Sequence, residues 1–338
     1  MPPIRTRNRR ATINDVATAA GLSRGTVSRV VNGERYVSEE ARIAVEEAIA
    51  RVGYVRNSAA RNLVTQESRA IALIIHEPHS LLFEDPNIGS ILLGANAVLS
   101  KADYQLVSLI IDSDRDSHRV ADYLRGGLVD GAVIVSARAA DPIASAVRDI
   151  GVPAAFVGHP PGTPDLPYVA IDNAAAARAI TQRLVETGRH TIGMIACAMD
   201  RDSGHDRFTG FRDAMGDRFD ASLVVEYPLY TYAAGLEGMQ ELLRRSPGID
   251  GVFAASDAVA AGAMTALQES GRKVPDDVGI VGFDDSSWAV RTRPQLSTVR
   301  QPADLLGSTA AELVLAQIRG LPSPVQVLDT TVVWRDSA

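Results

Sequence analysis

Two groups of residues in this chain carry types and spacings that could do chemistry. Near the N-terminus, Ser23, Arg24, Gly25, Thr26, Ser28, Arg29 and Asn32 bring hydroxyls, a carboxamide and two guanidinium groups into one short stretch. Guanidinium forks match O6 and N7 of guanine in the major groove, and hydroxyls with helix N-terminal N–H groups hold phosphates. The second group follows short apolar runs further along: His76 and Glu77, Ser136, Gly158 and His159, Ser256 and Asp257, Asp284 and Asp285. Carboxylates beside a guanidinium bind vicinal hydroxyls in both hydrogen-bond directions. Aromatic rings such as those of Phe83, Tyr230 and Trp288 can cover the apolar face of a pyranose.

Competing motifs fail on context. Gly21-Leu-Ser-Arg-Gly25 satisfies G-x-S-x-G, but that nucleophile elbow needs a buried strand before the serine, and an amphipathic helix precedes this one. Lys101 is followed by Ala102 and Lys273 by Val274, so neither completes a phosphate-binding Walker A loop. In His76-Glu-Pro-His79, Pro78 disfavours the helix that would align two imidazoles, and Ser80 stands where H-E-x-x-H requires histidine. No dinucleotide fingerprint is present. The expectation is a protein with no cofactor, no metal and no enzymatic activity.

The elements that must position the first group are short helices. Ile13, Val16, Ala17 and Ala20 recur at helical spacing behind Thr12, which forms a capping signal with Asp15. Gly21 suits a left-handed stop, and Ser23 caps a second helix with Val27, Val30 and Val31 inside. A third helix runs from its cap Ser38 to Val52 and stops at Gly53. This is a three-helix helix-turn-helix unit whose second helix turns its polar, basic first turn outward, although a solvated face would look the same.

The run from Thr12-Ile-Asn-Asp-Val-Ala through Gly21-Leu-Ser-Arg-Gly-Thr-Val-Ser-Arg-Val-Val-Asn32 resembles the DNA-binding head of the LacI/GalR family of transcriptional regulators, and the likeness continues along the chain. The resemblance implies that Arg24, Gly25 and Arg29 face base edges, with Arg24 and Gly25 as the specificity-setting pair. It implies that Thr12, Ser23, Thr26, Ser28 and Asn32 serve the DNA backbone or the head's own packing. Residues 57–65, from Asn57 to Thr65, are too few to form a helix alone in water. By resemblance they fold as a hinge on the operator, pair with a dimer mate and insert Leu63 into the minor groove, where an apolar wedge kinks the duplex. Many members have proline where this chain has Arg56.

Beyond Arg69, apolar runs at Ala70 to Ile75, Gln105 to Ile111, Ala132 to Val135, Ala154 to Val157, Ile192 to Ala196, Val252 to Ala255 and Ile280 to Phe283 alternate with helical stretches. Buried strands joined by helices imply parallel α/β sheets, and the length implies two subdomains with a cleft between them. The family likeness implies a periplasmic-binding-protein-like body. The expected division is a DNA-binding domain over 1–56, a hinge over 57–68 and an effector-binding, dimerising body over 69–338. Within the body, one subdomain takes about 69–187 and 299–325, the other about 188–298 and 326–338.

In open parallel sheets, ligands gather beyond the carboxyl ends of the strands, which points to the second group of polar residues. The resemblance assigns Arg207 and Asp284 to the effector, with His76, Phe83, Tyr230, Asp257 and Trp288 as further candidates. Plain alternatives stand beside them: Asp257 can cap a helix, His76 can close a strand, and Phe83 can belong to the core or a dimer surface.

Charge divides the chain in the same place. Residues 1–62 hold 11 Arg against 6 acidic residues, while the whole chain of 338 residues has a net charge of −7. A basic head on an acidic body fits polyanion binding by the head alone. No apolar run reaches the ~18 residues of a membrane span, so the expected compartment is the cytoplasm and no membrane partner is expected. Cys197, the lone cysteine, fits a reducing compartment. The reading is a ligand-responsive, sequence-specific regulator, a homodimer or higher oligomer acting as a repressor on an operator, with a sugar or sugar derivative as effector. A nucleobase or nucleoside effector, or a transporter's solute-binding protein, is the alternative.

Overall fold

The computed structural model describes residues 11–34, 36–54, 67–138, 142–160, 162–163 and 165–338. They form two compact units divided between Ser68 and Arg69. Asn57 and Leu63, with most of the expected hinge, lie outside the described residues.

In the first unit, α1 (Ile13–Ala20) begins with a capping box: the Asp15 amide donates to Thr12 Oγ1, and the Thr12 amide donates to Asp15 Oδ2 at 2.7 Å. It ends at Gly21, whose φ of 67° reverses the chain into α2 (Arg24–Val31). Ser23 caps α2 by accepting from the Thr26 amide at 3.1 Å, and Ser38 caps α3 (Glu39–Val52). Val16, Val27, Val45 and Ala48 are fully buried where the three helices meet.

The second unit contains two lobes. In the first, β1 (Ala70–Ile75), β2 (Gln105–Ile110), β3 (Gly131–Val135), β4 (Ala154–Val157), β5 (Tyr168–Ile171) and β11 (Gln326–Leu328) form a parallel sheet in the order β11-β5-β4-β3-β1-β2. The short α4 (Leu81–Glu84), α5 (Pro86–Lys101), α6 (Asp114–Arg125), α7 (Ile143–Ile150) and α13 (Ala303–Ile318) belong to this lobe. Central strands such as β1 and β3 are almost wholly apolar because helices cover both faces of the sheet.

In the second lobe, β6 (Ile192–Cys197), β7 (Val224–Tyr227), β8 (Gly251–Ala254) and β9 (Gly279–Val281) form a parallel sheet in the order β7-β6-β8-β9. Its helices are α8 (Asn173–Glu186), α9 (Asp202–Met215), α10 (Tyr232–Arg245), α11 (Asp257–Glu269) and α12 (Ser287–Arg291). An antiparallel pair, β10 (Thr298–Arg300) with β12 (Thr331–Val333), runs beside β9. The chain therefore passes between lobes after β5, between β10 and α13, and between β11 and β12.

Two expected borders move. α8 leaves the first sheet and packs along α9, β9 and β10, so the first crossing falls at Asp172 instead of near 187. Gln326–Leu328 pairs with β5 and joins the first sheet, although residues from 326 onward were expected in the second subdomain. Helical periodicity in α8 shows that it buries a face, not which sheet it covers. β11 is a half-buried edge strand of three residues, too short to carry a pattern.

Candidate ligand cavity and nucleic-acid interface

On α2, Val27 turns inward, leaving Ser23, Arg24, Gly25, Arg29 and Asn32 exposed, with Thr26 and Ser28 half-buried beside them. Ser23 Oγ and Thr26 Oγ1 lie 2.9 Å apart, and Arg29 Nε donates to the Gly25 carbonyl at 3.3 Å. A Cβ on Gly25 would meet only Ser23 Oγ at 3.8 Å, so packing within the head does not demand glycine there. Thr12 is held in its capping box. These residues present one continuous polar face with two exposed guanidinium groups.

In the second unit, the carboxyl ends of strands from both lobes converge on a cavity of about 110 Å³. Glu77 enters it after β1, Ser136 after β3, Gly158 after β4 and Asn173 after β5; Arg201, Asp202 and Ser203 follow β6. Tyr230 lies beyond β7, Asp284 beyond β9 and Gln301 beyond β10, while Asp85 and Asn87 begin α5. Ile88, Ile91, Val135 and Leu306 supply apolar wall.

Arg207 organises one side. Its Nε donates to Asn173 Oδ1 at 3.0 Å, its Nη1 to the Ala255 carbonyl at 2.7 Å, and its Nη2 lies 3.5 Å from Asp284 Oδ1. The guanidinium sits 3.7 Å above the Phe283 ring and 5.4 Å from that of Tyr230. Asp284 also accepts from Gln301 Nε2 at 2.6 Å. Its backbone φ of 116° is costly for a side chain with a Cβ and turns the carboxylate into the cavity, where the surrounding fold must sustain it.

Burial pushes the Asp284 carboxyl well above the ordinary carboxylate range, against the pull of Arg207. Burial likewise pushes the Tyr230 phenol up to about 12, so it stays protonated; its oxygen lies 3.1 Å from Ser203 Oγ. Cys197 is a packed strand residue whose thiol burial pushes up to about 12.

Of the seven residues singled out for a ligand, Arg207, Tyr230 and Asp284 line the cavity. The other four do not. His76 closes β1, its amide donating to the Val135 carbonyl at 3.2 Å. Phe83 projects from α4 with 94% exposure. Asp257 is fully buried and ties α11 to its neighbours, accepting from Thr298 Oγ1 at 2.6 Å and the Ser286 amide at 2.7 Å. Trp288 stacks on Tyr232 and donates from Nε1 to the Glu84 carbonyl at 3.1 Å, joining the two lobes outside the cavity.

Asp85, Asn87, Asn173, Arg201, Asp202, Ser203 and Gln301 were not foreseen. The strand-end rule that found Ser136 and Gly158 would have reached Arg201 to Ser203 after β6. Asn173 and Gln301 follow β5 and β10, which the apolar runs did not reveal.

Residues 12–57 match the family described as bacterial regulatory proteins, lacI family, and residues 181–338 match a periplasmic binding protein-like domain. The HTH-type transcriptional regulator CelR of Thermobifida fusca is 41% identical over 338 residues, covering 98% of this chain and 99% of its own. A solved structure titled as a complex of the transcriptional regulator CelR with cellobiose superposes with a TM-score of 0.77 at 39% identity, over 97% of this chain and 100% of that one. A lac repressor dimer bound to operator and the anti-inducer ONPF superposes at 0.85 over 97% of this chain and 99% of its own; at 24% identity that likeness is one of fold. Among the described residues, no helix is long and apolar enough to cross a membrane.

Proposed function

As a member of the lacI family of bacterial regulatory proteins, this chain is a ligand-responsive, DNA-binding transcriptional regulator, and we propose that it is a homodimeric repressor whose effector is an uncharged saccharide of the cellobiose kind. The observation that carries the ligand class is the charge of the cavity wall. Arg207 lies 3.5 Å from Asp284 and Arg201 is paired with Glu77, and Asp85 and Asp202 add carboxyl groups to the same wall. A phosphate or carboxylate would meet an acidic excess in a desolvated place, whereas hydroxyls can use every donor and acceptor present.

In this reading Arg207, Asp284, Asn173, Gln301 and Tyr230 hold the saccharide between the lobes. The face of α2 lies in the major groove, with Arg24, Gly25 and Arg29 toward base edges and Thr12, Ser23, Thr26, Ser28 and Asn32 toward the backbone or the head itself. Leu63 is assigned to the minor groove and Asn57 to the hinge on sequence grounds alone. Ligand binding favours one state of the cleft and thereby lowers operator affinity, which requires the two states to differ in their affinity for it. We assign the chain no catalytic activity, because its relatives are named as regulators.

A mobility-shift titration of the full chain on duplexes from its own upstream region tests this reading. The expected result is preference over scrambled duplex, weakened by cellobiose and unaffected by a phosphorylated disaccharide. No preference for any fragment, with and without sugar, overturns it.

A further inference from the structure

Beside the cavity, the two lobes meet through groups that can change charge near neutral pH. Gly158 and His159 follow β4 in the first lobe, and Asp202 and Asp206 lie one turn apart on α9 in the second. Gly158 and Asp202 line the cavity; His159 and Asp206 do not. The Gly158 φ of 92° suits glycine, and its bare backbone admits the Asp202 carboxylate, since a Cβ there would stand 2.8 Å from Asp202 Oδ2. The His159 amide donates to the same oxygen at 2.7 Å. That bond is the same at every pH. The imidazole is not, and its Nδ1 lies 3.7 Å from Asp202 Oδ2 and 4.0 Å from Asp206 Oδ2.

Tyr168 of β5 meets the His159 ring edge-on at 4.8 Å, and His205, on α9 itself, lies 3.8 Å from Asp206 Oδ1. Among the described residues, no arginine or lysine pairs with Asp202 or Asp206. Carboxylates four residues apart on a helix repel each other. Burial first and Asp202 next push the Asp206 carboxyl above its ordinary range, while His159 and His205 pull the other way. A neutral imidazole relieves this repulsion little. An imidazolium brings a counter-charge from the opposite lobe, and histidine is the side chain whose ordinary charge change falls between pH 5 and pH 8.

We propose that His159 is a proton-operated latch between the lobes, which pairs with Asp202 and Asp206 when it takes up a proton and so favours the closed cleft as pH falls from 8 to 6. This rests on the reading that a saccharide binds between the lobes and shifts their equilibrium; it adds pH as a second input to that equilibrium. Cellobiose should therefore bind more tightly on the acid side.

The test is calorimetry of the full chain with cellobiose at pH 6 and pH 8, on the wild type, His159→Asn, Asp206→Asn and His205→Asn. Burial also raises the carboxyls of Asp85, Asp257 and Asp284, which add a pH dependence of their own. The readout is therefore the ratio of the two affinities, compared between chains. The wild-type ratio should exceed that of His159→Asn by roughly 2- to 5-fold, the range for partly exposed ion pairs, with Asp206→Asn between them. Equal ratios in wild type and His159→Asn overturn the latch, since a ring that only packs lowers affinity alike at both pH values. So does a response lost in His205→Asn and kept in His159→Asn, because His205 shares a helix with the carboxylates and cannot join the lobes.

A second arm needs no sugar. In Trp334→Phe the remaining tryptophan is Trp288, which stacks on Tyr232 and donates to the Glu84 carbonyl of the opposite lobe. Its emission should move to shorter wavelength from pH 8 to pH 6, and should not do so when His159→Asn is added. If the wild type binds no cellobiose, this shift keeps the latch while the saccharide reading falls; equal emission changes in the two chains overturn the latch as well.

Discussion

The face of α2 and the cavity of the body use the same guanidinium group in opposite ways. Arg24 and Arg29 are exposed, and Arg29 Nε donates to the Gly25 carbonyl of its own helix. Arg207 and Arg201 are each 5% exposed, and each faces a carboxylate. A charge left in water keeps its full value for a polyanion, and much of its gain on DNA comes from displaced counterions. A charge taken out of water must be neutralised by the protein itself. In the saccharide reading it then aims hydrogen bonds at a ligand that brings no charge.

The sharpest way to break this contrast is to remove one buried partner. Asp284→Ala takes the acceptor from Gln301 and the counter-charge from Arg207. Truncating one member of such a pair costs about 2 to 5 kcal/mol of binding, much of it from the charge left behind. The expected outcome is a collapse of effector affinity in calorimetry, with operator binding in the absence of effector unchanged. A parallel loss of operator affinity would show that the two sites are not separable in this way. Arg29→Ala comes next, at roughly 1 to 3 kcal/mol of operator discrimination, the range for a bidentate base contact. An equal loss on scrambled duplex would make Arg29 a phosphate contact.

The same contrast explains what could be read from the sequence. The head's face lies within the ten residues from Ser23 to Asn32, just after a glycine turn, so local periodicity is enough to separate Val27 from Arg24 and Arg29. The cavity is assembled from the ends of strands far apart in the chain. Arg207 and Asp284 came from the family likeness, and Ser136 and Gly158 from the rule that ligands gather at strand ends. Asn173 escaped because the four residues of β5 gave no distinct signal. Asp257 misled because a strand-end acid that feeds a ligand and one that accepts from Thr298 and Ser286 look identical until the partners are known.

Asp257 gives the third prediction, a slope with pH. Burial pushes its carboxyl up to about 7, although Thr298 and Ser286 pull the other way. The folded state therefore keeps a proton that the unfolded chain releases near the ordinary value of 3.8. Stability from this group is fully present below that lower value and is lost as pH rises through about 7. Thermal unfolding of wild type and Asp257→Asn between pH 5 and pH 8 should show a steeper fall in Tm with rising pH for the wild type. Asp284 is raised in the same direction, so a residual slope remains in the variant. Equal slopes would mean that Asp257 is already ionised at pH 5.

The smallest effect is expected at Phe83. In the sequence Phe83 and Trp288 were equal candidates for a ring laid over a sugar, and the structure places neither in the cavity. Trp288 is engaged: it stacks on Tyr232 and donates to Glu84 on the opposite lobe, while the Tyr232 amide donates to Glu84 Oε1 at 2.6 Å. Phe83, beside Glu84 on α4, is 94% exposed in the chain taken alone. An exposed side chain away from such contacts changes stability by no more than about 0.5 kcal/mol when replaced. Phe83→Ser should therefore leave both the Tm and the cellobiose affinity of the full chain where they are. A weaker affinity at unchanged Tm would mean that α4 folds over the ligand when it binds. A concentration-dependent loss of the dimer in analytical ultracentrifugation would place the ring at the partner surface, outside the ligand site altogether.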